Sequence, residues 1–261
     1  MSTFIKNRDL ISILLTREVA YKFKGSFLGV LWMVLTPIIL IVIFTFIFGE
    51  VFEIKWMDIP ESKEYFALIL FSGLMVFNFF AESITKAPLL FISNSNYIKK
   101  ILFPLEILPI VSVLSSSVQL IISFIVWIVF YLIIVGIPSI NVLLLPIIML
   151  PYVFILFGLT FLFSTLGVFI RDTNNIISLI TTLLLFLSPI FYPISVIPEE
   201  YQLYIYLNPV AYQIELTRDL MMWGNTPNLV SFLIYFTLAY LFYLLTIKFF
   251  SKNKDRFIDV L

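Results

Sequence analysis

The chain alternates long apolar runs with short polar interruptions. Four runs contain no aspartate, glutamate, lysine or arginine, namely residues 25–49, 107–170, 173–198 and 220–247. Each run reaches or exceeds the roughly 20 apolar residues that a helix needs to cross about 30 Å of hydrocarbon. Because lipid offers no partner to backbone N–H and C=O groups, the pattern predicts helices, which satisfy their own backbone.

Taken over the whole chain, the pattern predicts an all-α integral membrane protein with one transmembrane domain over residues 1–261. We predict six transmembrane helices, at residues 28–49, 65–87, 105–135, 142–170, 176–191 and 229–250. Pro37 lies inside the first of these spans. Since proline lacks a backbone donor, it should kink this helix or interrupt its hydrogen-bond ladder.

Two segments outside the spans have a mixed polar and apolar pattern. Residues 4–24 combine an aliphatic face with five basic residues, which predicts an interfacial amphipathic helix on an anionic inner leaflet. Residues 194–226 are rich in proline and tyrosine, too polar to span and too apolar for a free loop. We predict two re-entrant outer helices there, roughly at 199–207 and from Pro209 to about 222.

A short basic island separates the second and third spans. It predicts a cytoplasmic helix over residues 92–101, capped by Ser93 or Asn94. One interpretation is an ordinary solvated loop. The other is a docking segment through which a cytoplasmic ATPase moves the transmembrane helices. The candidate contact residues are Ser93, Asn94, Asn96, Tyr97, Lys99 and Lys100.

The basic residues orient the chain in the membrane. Of the sixteen lysines and arginines, thirteen fall in segments that the six-span arrangement places on one side. Since basic residues accumulate in cytoplasmic loops, both termini are predicted to be cytoplasmic.

The amino-acid composition limits the kinds of function that the chain can perform. Only 12% of residues are charged, about half the share typical of a soluble domain, and the formal net charge is zero, which argues against nucleic-acid binding. The chain has no cysteine, no histidine and no phosphate-binding loop motif. Apart from Glu106 at the very start of the third span, Glu82 is the acidic residue within the predicted spans, and it lies near a helix end where water or Lys86 can satisfy it. If the protein moves a substrate, its energy is therefore expected to come from a partner.

Aromatic residues make up 18% of the chain, and two interpretations of them remain open. Most rings in lipid are packing, and an outer belt of tyrosine and tryptophan is common at any membrane interface. Alternatively, rings line a pore for sugars, whose C–H faces stack on aromatic side chains. The outer candidates for such a pore are Tyr192, Tyr204, Tyr206, Tyr212 and Trp223.

Three motifs resemble a known family. Residues 23–32, FKGSFLGVLW, with Pro37 beyond them, are similar to the start of span one in permease subunits of bacterial polysaccharide ABC exporters, although phenylalanine stands first where the family often has tyrosine. Residues 103–109, FPLEILP, resemble the segment after that family's coupling helix. The sequence SPIFYP at 188–193, followed by LNP at 207–209, resembles its outer re-entrant region.

This resemblance implies a type-2 ABC exporter half that works as a homodimer with two copies of a separate ABC ATPase. The chain itself would carry no cofactor, because ATP and Mg would bind to the partner. The implied substrate is a lipid-linked polysaccharide such as O-antigen, capsule or teichoic acid, exported across the bacterial cytoplasmic membrane. Residues 92–101 would be the coupling helix, and spans one and five would line the channel. The channel candidates are then Trp32, Phe44, Phe186, Phe191 and Tyr192, joined on the outer side by Tyr204, Tyr206 and Tyr212.

Three other functions remain open for this sequence. A type-2 exporter of teichoic acid, lipid or drugs is the nearest alternative, although drug and lipid exporters commonly carry larger outer domains. A membrane-embedded glycolipid-handling enzyme would need grouped charges at the surface, and only Glu215, Arg218 and Asp219 approach that. Arg218 can equally form a simple pair with an acidic residue one turn away. A structural membrane protein without transport activity is the third class.

Overall fold

A computed structural model of the chain describes residues 7–47, 63–98 and 103–260. All regular secondary structure in these ranges is helical. The α-helices are α1 Arg8–Tyr21, α2 Trp32–Phe46, α3 Lys63–Thr85, α4 Leu90–Ser93, α5 Ser95–Ile98, α6 Ile107–Ile134, α7 Leu145–Phe169, α8 Thr173–Leu187, α9 Glu199–Tyr206, α10 Pro209–Arg218, α11 Leu229–Asn253 and α12 Phe257–Val260. Short 3₁₀ turns precede α2, α4 and α7, and a π-helical turn, Asp219–Trp223, follows α10.

Five helical segments are long and apolar enough to cross a membrane. They are Gly29–Phe46, Glu64–Ser93, Ile107–Ile134, Ile140–Phe169 and Leu229–Arg256, and they match five of the six predicted spans.

The fifth predicted span, 176–191, corresponds to α8, which has 15 residues and ends earlier, at Leu187. Ser188 is extended, with φ −95° and ψ 144°. The reason is Pro189, because a residue before proline is pushed out of the helical conformation.

Helix α3 lies at the centre of the bundle and is the most deeply buried of the five. It contacts α2, α6, α7, α8 and α10. Its neighbours also bond to its backbone, since the Trp127 indole donates to the Leu68 carbonyl at 3.2 Å and the Tyr152 hydroxyl to that of Val76 at 3.3 Å. Gly73 leaves room for a side chain of α10, because a Cβ there would lie 2.7 Å from Nη2 of Arg218.

Pro37 lies inside α2, as the sequence predicts, and the missing backbone hydrogen bond is replaced from another helix. Without an N–H on Pro37, the carbonyl of Met33 loses its usual partner one turn later. The side-chain amide of Gln119, on α6, donates to that carbonyl at 3.0 Å. The kink-prone part of α2 is therefore bonded to α6.

The two helices predicted at 199–207 and from Pro209 onward are present as α9, Glu199–Tyr206, and α10, Pro209–Arg218, and their outer, re-entrant placement stays a prediction. Asn208 caps α10, because its side chain accepts the Val210 N–H at 3.0 Å, and Pro209 occupies the first helical turn. This confirms the predicted helix start. Gly224, with φ 69°, ends the π-helical turn in a conformation that favours glycine.

Helices α1, α4, α5, α12 and the end of α11 lie at one end of the bundle, which we call the proximal end. There Ile11 and Leu14 of α1 pack against Ile107 and Val111 of α6. The opposite, distal end carries α9, α10 and the start of α11.

Candidate functional site

The segment 90–98 at the proximal end differs from the single helix predicted over 92–101. It consists of α4 and α5, which are separated at Asn94. The Ser93 hydroxyl donates to the Leu89 carbonyl at 2.7 Å, and the Asn94 amide donates to that of Leu90 at 2.9 Å. Both side chains therefore bond backwards, to α4 and its preceding turn, and neither caps α5. Asn96 is exposed, and Lys99 and Lys100 lie outside the described residues.

Tyr97 connects the 90–98 segment to helix α1. Its ring stacks on Phe103, with 4.7 Å between ring centres. The guanidinium of Arg17, on α1, donates to the Tyr97 hydroxyl and lies over the same ring, 5.5 Å from its centre. A displacement of α5 would therefore act directly on α1.

The other side of the 90–98 segment rests on α7 and the end of the chain. The turn Ala87–Leu89 crosses α7 at Gly167, where a Cβ would lie only 2.0 Å from the Pro88 carbonyl oxygen. Phe91 is fully buried against Phe250 and Phe257, with ring centres 5.8 and 5.0 Å away. These contacts fix one side of the segment and leave the side with Asn96 exposed.

A cleft of about 400 Å³, the proximal cleft, opens between α2, α3 and α6. Glu82 lies at its mouth and forms ion pairs with Lys22, at the end of α1, and with Lys86 at 3.1 Å. The pairing with Lys86 confirms the sequence prediction, whereas the one with Lys22 was not predicted. Since one carboxylate serves two ammonium groups, this cluster keeps one net positive charge.

The predicted channel residues fall into separate groups. At the distal ends of α2 and α8, Phe44 packs edge-to-face on Phe191 at 6.4 Å, and the Tyr192 hydroxyl donates to the Phe186 carbonyl at 2.8 Å. Trp32 lies away from this group, at the start of α2, where it lines the proximal cleft. Their predicted role in a channel stays a prediction.

The tyrosines predicted to lie on the outer side also lie apart from one another. Tyr212 packs against Tyr235 of α11, with ring centres 4.8 Å apart. Tyr204 and Tyr206 are exposed on α9. Tyr206 lines a second opening of about 730 Å³, the distal cleft, together with Glu215 and residues 193–199.

Arg218 is fully buried at the distal end, where it connects α10 to the backbone that follows α8. It bonds to Glu215 at 2.6 Å, the pairing that the sequence suggested, and its Nη2 donates to the Pro189 carbonyl at 2.7 Å. Burial raises the pKa of the Glu215 carboxyl, and the neighbouring guanidinium acts in the opposite direction. The bond to Pro189 was not predicted, because it joins residues 29 positions apart.

In the described part of the chain, no three acidic side chains lie close enough together to hold a metal ion.

These features define a multi-pass helical membrane protein with a partly exposed helical segment at one end. The chain belongs to the ABC-2 type transporter family, whose sequence profile matches residues 9–222. This confirms the family suggested by the three sequence motifs.

Individual relatives are similar over most of their length. The chain is 32% identical over 254 residues to the "O-antigen export system permease protein RfbA" of Klebsiella pneumoniae, covering 97% of this chain and 95% of that protein. A protein of the same name from Myxococcus xanthus is 28% identical over 206 residues, covering 78% of this chain and 76% of that protein. The "Polysialic acid transport protein KpsM" of Escherichia coli is 24% identical over 246 residues, covering 92% and 93%.

Proposed function

We propose that the chain is the channel-forming subunit of an ATP-driven exporter that moves a lipid-linked, O-antigen-like polysaccharide across the bacterial cytoplasmic membrane. The observation that carries this proposal is the similarity, over nearly the whole of both chains, to a permease named for O-antigen export. The relative named for polysialic acid transport also supports a polysaccharide substrate over a drug.

In this proposal the proximal end is cytoplasmic and α8 serves as the fifth of six spans, although it is short. Helices α9 and α10 dip into the outer leaflet as re-entrant helices. A capped start at Asn208 and the buried bonds of Arg218 support that placement, because re-entrant helices require their polar groups to be satisfied by protein.

The protein would act as a homodimer with two copies of an ABC ATPase. Large apolar side chains are exposed along α2 and α8, for example Val42, Leu183 and Phe186. A second copy that met these helices would cover part of this surface and enclose a channel. The ATPase would bind ATP and Mg, and no cofactor would be needed on this chain.

The 90–98 segment would be the coupling segment that receives the motion of the ATPase. Its exposed side is free for contact with a partner, and its opposite side is seated on α7, Phe250 and Phe257. Tyr97 and Arg17 would then transmit the motion to α1, and Lys22 and Glu82 would transmit it from the end of α1 to α3.

The test is reconstitution with the cognate ATPase in liposomes that contain a lipid-linked glycan. We expect nucleotide-dependent transport, and we expect the combined substitutions Tyr97→Ala, Lys99→Ala and Lys100→Ala to leave ATP hydrolysis running without transport. Lys252→Ala, at an exposed position of α11 at the same end of the molecule but outside the 90–98 segment, serves as the control. Rapid transport by the chain alone, without nucleotide or ATPase, would refute the proposal.

A further inference from the structure

Three polar side chains of the proximal cleft come from three different helices. Thr36 lies on α2, Asn78 on α3 and Ser123 on α6, and all three line the same space. Among the described residues, none of them has a side-chain hydrogen-bond partner. Each lies within a helix that is long enough to cross the membrane. Polar groups at such positions are costly in lipid and commonly mark a substrate pathway.

Other polar side chains of the spans show how such groups are usually satisfied. The hydroxyls of Ser83, Thr85 and Thr165 each donate to a carbonyl one turn earlier in their own helix, at 2.7–2.8 Å. Thr160 has no partner in the described structure, but it is fully buried and does not line the cleft. Thr36 and Asn78 are exposed to the cleft, so their polar atoms are available to a ligand.

The cleft suits a sugar ring. Its volume of about 400 Å³ lies within the range of small-molecule sites, roughly 300–1,000 Å³. Hydroxyl and amide groups can both donate to and accept from sugar hydroxyls. Trp32 and Phe79 add aromatic faces to the lining, on which the C–H face of a sugar can stack.

The mouth of the cleft suits a phosphate. Lys22 and Lys86 share Glu82, and the side chains of the two lysines are 25% and 36% exposed. The net positive charge of this cluster lies at the end of α3, beside the amphipathic helix α1. A ligand with a phosphate next to a sugar would therefore find partners at the mouth and within the cleft, in that order.

We infer that the proximal cleft binds the phosphate-linked first sugar of a lipid-linked glycan, as a loading site within a single protomer. This inference rests on the proposed function and adds a location to it. The sugar would contact Thr36, Asn78 and Ser123, and the phosphate would contact the lysines at the mouth. The lipid chain would stay in the membrane beside α2, whose outer surface is largely exposed.

The test measures binding of two lipids to the purified complex of the chain with its ATPase. One is a polyprenyl diphosphate that carries one sugar, and the other is the same lipid diphosphate without sugar. The substitutions Thr36→Val and Asn78→Leu, which keep the branching and number of side-chain heavy atoms, should together weaken binding of the sugar-bearing lipid by roughly tenfold. Binding of the sugar-free lipid should stay within about twofold. Ser83→Ala and Thr165→Val are the matched controls and should change neither affinity, because those hydroxyls bond within their own helices.

Each result decides the inference. Equal weakening of both lipids, or no change in either, overturns a sugar site in this cleft even if export continues, and the proposed function then stands without it. If the wild-type complex binds neither lipid, the loading site is also refuted. If no ATPase copurifies and no glycan is transported, the proposed function fails as well. Ser123→Ala removes only one oxygen, so it gives a further readout if the double variant does not fold.

Discussion

The proximal and distal ends of the molecule use charged groups in opposite ways. At the distal end, Arg218 is fully buried and holds Glu215 and the Pro189 carbonyl, with Gly73 leaving the space that it needs. At the proximal end, Lys22, Glu82 and Lys86 remain partly exposed. Exposed ion pairs are worth roughly 0–1 kcal/mol, whereas breaking a buried pair costs about 3–5 kcal/mol. The buried contacts of Arg218 therefore hold the distal end rigidly, whereas the proximal ion pairs can exchange partners at a small cost in free energy.

The largest expected effect on stability is at Arg218, at the distal end. Arg218→Met should lower the free energy of unfolding by about 3 kcal/mol, because it leaves the Glu215 carboxylate and the Pro189 carbonyl without their partner. The measurement is thermal unfolding in detergent. Arg171→Met, at an exposed position, is the matched control and should change stability by less than about 0.5 kcal/mol. Equal losses in the two variants would contradict the comparison between the two ends.

An intermediate effect is expected where α2 and α6 meet. Gln119→Leu leaves the Met33 carbonyl unpaired and should cost about 1–2 kcal/mol. In a Pro37→Ala background the cost should fall, because the backbone N–H of residue 37 then bonds to that carbonyl. A double-mutant cycle of unfolding free energies measures this coupling. Strictly additive costs would show that Gln119 does not replace the bond that proline removes.

A smaller effect is expected at the mouth of the proximal cleft. Glu82→Gln removes the charge shared by Lys22 and Lys86, both of which keep access to water. The change in unfolding free energy should be below about 1 kcal/mol, and raising the ionic strength should shrink it. The measurement is unfolding at low and high salt. A loss as large as that of Arg218→Met would show that the proximal end is as rigid as the distal end.

Sequence patterns predicted the helices better than the contacts between them. Hydrophobic runs are local signals, so the spanning helices and the start of α10 at Pro209 were found close to their observed bounds. The early end of α8 also has a local signal, since Ser188 precedes a proline, but the apolar run continues past it. Where the structure describes the predicted helix over 92–101, it shows two short helices separated at Asn94, and residues 99–101 lie outside the described ranges.

The site contacts were harder to predict because they join distant parts of the chain. Gln119 and Met33 are 86 positions apart, and Arg17 and Tyr97 are 80 apart. One signal was present for the first pair. A proline inside a span leaves a carbonyl without a partner, and an amide in another predicted span can supply the missing donor. For Arg17 no comparable local signal exists, since an exposed arginine near the chain's N-terminal end has many possible partners.

The smallest effect on stability is expected at Tyr97, where we expect a clear effect on function. Tyr97→Phe keeps the stacking on Phe103 and loses only the partly exposed hydroxyl that Arg17 contacts, so stability should change by less than about 0.5 kcal/mol. If α5 transmits motion to α1 through this contact, the transport produced per ATP hydrolysed should fall by a few fold. Arg17→Gln should produce a similar loss, and the double variant should lose no more than either single variant, because both remove one contact. Asn96→Ala, at an exposed position of the same helix, tests the exposed side of the segment separately from this contact. Unchanged coupling in Tyr97→Phe and Arg17→Gln would mean that the motion reaches α3 by the buried side of the segment, through Phe91 and α7.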